Sequence, residues 1–143
     1  MAYERKIRAG LDGALARAPV GTLDLDDARW IVFSDHHKGK RDGADDFRAA
    51  EKAYHAALGY YLEAGYTLAV LGDVEELWEC RPRDVLRAYP GTFALERAFL
   101  DAGRYLRFWG NHDDEWASPS AVRRHLAPVY RPGLEVWEAL RCE

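Results

Sequence analysis

The sequence predicts an α/β domain organised around a parallel sheet, and two observations carry that prediction. Short apolar runs at residues 28–33, 66–71 and 104–109 alternate with segments of helical periodicity, the order expected of strand, crossover helix and strand. Each run also ends in a polar cluster: Asp35-His36-His37, Gly72-Asp73 and Gly110-Asn111-His112-Asp113. In a parallel sheet with right-handed crossovers all three clusters arrive at one edge, the edge where ligands of such sheets bind.

Residues 1–26 read as a helix and lead-in, and residues 27–143 as the α/β core of one domain. Ile7, Leu11, Ala14, Leu15 and Ala18 recur at helical spacing until Pro19 and Gly21 stop them, which predicts a short amphipathic helix with a packing role. The first strand then leads into a polar loop through Lys40, Gly43 and Asp45. Phe47, Ala50, Tyr54, Leu58, Tyr61 and Leu62 share one helical face, with Asp45 as the expected N-cap and Gly65 as an αL C-cap. After the second strand, residues 74–80 predict a helical turn that Pro82 ends. A longer helix follows over 92–102, closed by Gly103 ahead of the third strand. Residues 119–126 predict a short helix, and alternation at Leu134, Val136 and Leu140 predicts a further strand. No repeat, linker or low-complexity segment interrupts this order.

With 143 residues and a hydrophobic fraction of 48%, the chain is long enough for one buried core. A net charge of -4 argues against a broad nucleic-acid surface and suits a carboxylate site that a cation neutralises. Apolar runs are only a few residues long, and the first ten residues carry charge without an adjoining apolar stretch. Neither a membrane span nor a secretory signal is expected, and the expected location is cytoplasmic. Cys80 and Cys142 lack the spacing of a thiolate zinc site or a disulfide framework and read as reduced thiols.

The three clusters hold carboxylate, imidazole and amide groups, which are ligands for hard to borderline divalent cations. Gly72 and Gly110 suit turns in which the backbone bends sharply beside an ion or a phosphate. As a set, Asp35-His36-His37, Gly72-Asp73-Val74-Glu75-Glu76 and Gly110-Asn111-His112-Asp113 resemble the D-x-H, G-D-x-x-(D/E) and G-N-H-(D/E) motifs of the calcineurin-like metallophosphoesterases, in the family's order. The match runs from about Trp30 to Asp113.

That resemblance implies the N-terminal half of an αββα sandwich, with a mostly parallel sheet and flanking helices. It implies a metal-dependent phosphoesterase that opens a phosphomonoester, phosphodiester or pyrophosphate bond by attack of a metal-bound hydroxide. Asp35 and His37 would hold a first divalent ion, Asp73 would bridge to a second, and Asn111 would bind the second. Manganese leads the expected metals, followed by iron, zinc or magnesium. His112 would stabilise the phosphoryl oxygens or protonate the leaving oxygen, Asp113 would orient its ring, and Glu76 would sit behind the ligands. Lys38 and Arg41 are candidate contacts to the substrate phosphate, set against the plainer reading of a solvated charged loop.

The sequence departs from the family after His112. The family supplies a further histidine and a G-H-x-H motif, whereas only His125, in RRHLAP, follows here. A missing C-terminal half or an oligomeric partner is therefore an expected partner beside the phosphorylated substrate. The competing function is a truncated, non-catalytic metal or phosphate-binding module, or an inactive fragment of a longer phosphoesterase. His36, at the variable centre of D-x-H, is expected to point away from His37 into packing. The literal DHH string does not indicate the other manganese phosphoesterase group of that name, because Asp24 and Asp26 lie too close before it for a strand and crossover.

Overall fold

A computed structural model describes residues 2–22, 24 and 26–143; Met1, Leu23 and Leu25, in the N-terminal lead-in, lie outside the described residues. The core is a three-stranded parallel sheet of β2 (Trp30–Phe33), β3 (Thr67–Leu71) and β4 (Tyr105–Phe108), in that spatial order. Helix α2 (Phe47–Glu63) connects the first pair, and α3 (Pro82–Ala88) with α4 (Pro90–Asp101) connects the second. The chain is thus α/β, with parallel strands and helical crossovers. Two small elements, β1 (Val20–Gly21) and β5 (Arg141–Cys142), form a separate parallel pair that ties the tail to the lead-in.

Register explains which side chains are buried. Phe33, Val70 and Arg107 stand level across the three strands, as do Ile31, Leu68 and Tyr105, and both rows share one face because side chains alternate along a strand. Leu68 and Val70 on this face join Tyr54 and Leu58 of α2, and Phe93 and Phe99 of α4, in one apolar core. The opposite face is bare at Val32 and Leu71, each about half exposed. Trp30, Ala69, Phe108 and Leu140 line a depression of about 360 Å³ there. Among the described residues no helix is long and apolar enough to cross a membrane.

Several local expectations change in the fold. Asp45 does not cap α2: its carboxylate accepts hydrogen bonds from the Arg41 backbone N–H at 2.7 Å and the Tyr89 hydroxyl at 2.6 Å, so it braces the preceding loop. Gly65 does take the left-handed conformation, at φ 82°, and ends the helix as its lack of Cβ allows. Pro82 starts α3 instead of ending a turn, a position where its missing N–H costs nothing. The N-terminal helix α1 (Ala2–Arg17) forms, but Tyr3, Ile7, Leu11 and Leu15 remain largely exposed. One apolar residue per turn, interleaved with glycine and alanine, buries too little area to fasten it, and an Arg17–Glu138 ion pair at 2.7 Å holds only its end.

Candidate metal centre

The loops after β2 and β3 continue the parallel pairing past the strand ends. His37 donates its N–H to the Asp73 carbonyl at 2.9 Å, Lys38 to Val74 at 2.9 Å, and Glu76 to Lys38 at 3.0 Å. This zipper brings Asp35, His37 and Asp73 together, with one ligand atom from each lying within 4.8 Å of the others. The third loop folds over Asp73, whose Oδ1 accepts the His112 N–H at 2.8 Å. Gly110 must be glycine for that approach, because a Cβ there would stand 2.7 Å from the Asp73 backbone nitrogen. Gly72, at φ 78°, is confined in the same way by the Gly110 nitrogen. Asn111 lies exposed in this turn, between the glycine and His112.

Among the described residues four non-glycine residues have left-handed backbones, and three of them are Asp35 (φ 55°), His37 (φ 46°) and Asp73 (φ 49°); the fourth is Arg41. L-residues adopt this region at a cost, and such strain persists where surrounding structure holds a functional geometry. The loop zipper supplies that hold here.

Glu76 organises both imidazoles. Its carboxylate can only accept, so His37 and His112 each present a protonated Nδ1 to it, at 2.9 Å and 2.8 Å. That tautomer leaves Nε2 of His37 as the free lone pair, 3.9 Å from the Asp35 carboxylate. Burial alone would raise the Glu76 carboxyl, but the hydrogen bonds from His112 and His37 outweigh it and hold it below the usual carboxylate range. Reciprocally, the hydrogen bond to Glu76 raises the His112 imidazole above its ordinary value. His37, Glu76 and His112 form a second group of potential ligands, sharing His37 with the first. The two rings meet edge to face at 4.5 Å, and the Trp78 indole lies stacked on His112 at 3.8 Å.

Two expected roles are corrected by position. Asp113 does not touch the His112 ring. Its buried carboxylate accepts backbone N–H groups from Gly110 at 2.6 Å, Val74 at 2.9 Å and Asp73 at 3.2 Å, stapling the third loop to the second. Turn N–H groups buried beside one another need such an acceptor, and Glu76 therefore takes the orienting part. Lys38 does not face the cluster either. It is fully buried, with Nζ 2.8 Å from Glu96, because its bridge to Glu75 turns the side chain to the side of the loop opposite His37. Arg41 is committed to Glu51 at 2.6 Å and the Ala88 carbonyl at 2.6 Å, and it packs over Tyr89.

His36 turns away from His37, as expected, and packs among Phe33, Phe47 and Tyr54. Burial, then the positive Lys38, lowers its pKa to about 3, so it is neutral. His125 lies on a π-helical turn (Val122–Leu126) beside Trp116 and joins neither ligand group.

Below the cluster lies a charged layer that motif reading misses. Lys38, Glu75, Glu96 and Arg107 are all fully buried. Arg107 pairs with Glu75, which also accepts the Trp116 indole N–H at 2.9 Å. Glu96 accepts Lys38, Tyr105 at 2.9 Å, Tyr54 at 3.1 Å, and Tyr130. The available signal was Arg107 at an inward position of an apolar strand, where alternation predicts a core side chain. Compared with protein-family models, with curated proteins and with solved structures, the chain matches none.

Proposed function

We propose that the chain is a metal-dependent phosphoesterase of the calcineurin-like kind, acting on a phosphomonoester, phosphodiester or pyrophosphate bond. The observation that carries the reading is the convergence of Asp35, His37 and Asp73, from two strand ends, each held in a left-handed backbone. The donor set fits a divalent cation: two carboxylates and an imidazole nitrogen suit manganese, iron, zinc or magnesium. Glu76 on the far nitrogen of His37 is the carboxylate partner that metal-bound histidines ordinarily have, fixing the tautomer and the ring plane.

A bound divalent cation would acidify a water and draw charge from the phosphoryl oxygens. Asp35, Asp73 and His37 Nε2 would hold it, and Asn111 would add an amide oxygen beside Asp73. Two donors are few for a second ion, so the proposal includes further ligands from another segment or a second copy. His112, its Nδ1 held by Glu76, presents Nε2 to the reacting phosphate. As the incoming water oxygen bonds to phosphorus, the bond to the leaving oxygen breaks and its electron pair accepts the His112 proton. The proton shed by the water passes to solvent. Glu76 holds the imidazolium form ready for this donation.

The test is phosphate release by the purified chain with manganese, on a generic monoester and a generic diester. His112→Ala should lower turnover by roughly 10²–10⁴-fold while metal content stays unchanged. Turnover no higher than that of the variant would leave the metal-binding module as the better reading.

A further inference from the structure

Beside the cluster, Trp78 is a large aromatic residue that stays mostly open, at 66% exposure. It is not a loose surface side chain. One indole face covers the His112 imidazole at 3.8 Å and 23°, and the neighbouring Leu77 N–H donates to the His112 carbonyl at 3.0 Å, fixing the turn that carries the indole to the turn that carries the imidazole. The second face is therefore presented to solvent by a rigid support, next to the group that would protonate a leaving oxygen. A large apolar surface held open at a reactive site is a recognition surface, and a rigid indole binds flat rings by offset stacking at little entropic cost.

We propose that the free face of Trp78 is the platform for the leaving group, so that the substrate is a phosphate ester whose leaving alcohol carries a flat, unsaturated ring. This rests on the phosphoesterase reading, since His112 Nε2 and the indole face then address the same alcohol. The imidazole donates the proton to its oxygen, and the indole stacks on the ring beyond.

The discriminating probes are benzyl phosphate and cyclohexylmethyl phosphate. Both leave as primary alcohols with a six-membered ring at the same distance, and only one ring is flat. With the manganese-loaded chain, kcat/KM should favour benzyl phosphate by roughly tenfold. Trp78→Ala should abolish that preference mainly through KM, with a larger loss on the benzyl than on the cyclohexylmethyl ester, whereas Trp78→Phe should keep most of it. An equal loss for both esters in Trp78→Ala would make the indole a mere support for His112 and overturn the proposal, as would no preference in the parent chain.

Titration of tryptophan fluorescence supplies a second readout without turnover. Quenching by benzyl phosphate, weaker with the cyclohexylmethyl ester and lost in Trp78→Ala, supports the platform; an equal or absent response overturns it. Selective quenching without hydrolysis counts against the phosphoesterase reading alone.

Discussion

Glu75 and Glu76 are consecutive residues that end in opposite environments, and through them two regions of the molecule can be compared. Glu76 reaches the strand-end cluster, where its side chain is 17% exposed and shared by two imidazoles. Glu75 turns beneath the loops, fully buried, against Arg107 and Trp116. Burial raises the Glu75 carboxyl despite the opposing Arg107 and Lys38 charges, while hydrogen bonds from the two histidines lower Glu76. The bridge that pairs Lys38 with Glu75 directs both of those side chains into the buried layer, while their neighbours His37 and Glu76 face the cluster. The first two motif loops thus each carry residues for the cluster above and one for the charged layer below.

The two regions should respond to mutation in different currencies. In the lower layer, charges far from water are tolerable only as a paired set, so losing one member exposes the desolvation cost of its partner. In the upper cluster the groups are part-solvated, and on the proposed reading their geometry serves ligands more than folding.

The largest effect is expected below. Arg107→Met should destabilise the chain by about 3–5 kcal/mol in urea unfolding, by leaving Glu75 buried without its cation. The double change Glu75→Leu with Arg107→Met should recover much of that loss, and a single-variant cost under about 1 kcal/mol would erase the distinction between the layers. A smaller and different effect is expected above. Glu76→Gln should weaken manganese binding by roughly 10–100-fold, because the His37 ring loses its charged acceptor, with little change in the urea midpoint. Comparable losses in metal affinity and stability would show that the cluster is as structural as the layer beneath.

His36, at the boundary between the regions, should give an effect seen only in acid. The unfolded ring takes a proton near pH 6.5 and the folded one only near pH 3. Stability from keeping it neutral is complete above pH 6.5 and is lost as pH falls towards 3. Removing this site with His36→Phe should make the stability curve shallower between pH 6 and 4, by up to about 1.4 kcal/mol per pH unit. An unchanged slope would mean that the ring is protonated in place, within reach of the Glu96 charge.

Legibility in the sequence follows the same division. The parallel strands, the crossovers and the polar strand ends were readable because period-2 and helical patterning and turn glycines are local properties. Asp35, His37 and Asp73 stood out because metal-capable residues followed each apolar run. Glu76 could be placed near the ligands, but its hold on both imidazoles required the third loop to fold over the second. Asp113 was misread because sequence adjacency to His112 says nothing of the three N–H groups that turn packing delivers to it. Lys38 was misread because a lysine in a polar loop is normally solvated, and its burial depends on Glu96, 58 residues away.

By itself the sequence determined the α/β class, the order of the elements and the residues able to ligate a cation, since each follows from neighbours a few positions apart. Only the tertiary structure decided which acid serves which histidine, which charges are buried together, and that Trp78 stacks on His112 with its other face open. Those outcomes depend on pairings between loops some forty residues apart, where burial and hydrogen-bond satisfaction are settled jointly and leave no local pattern.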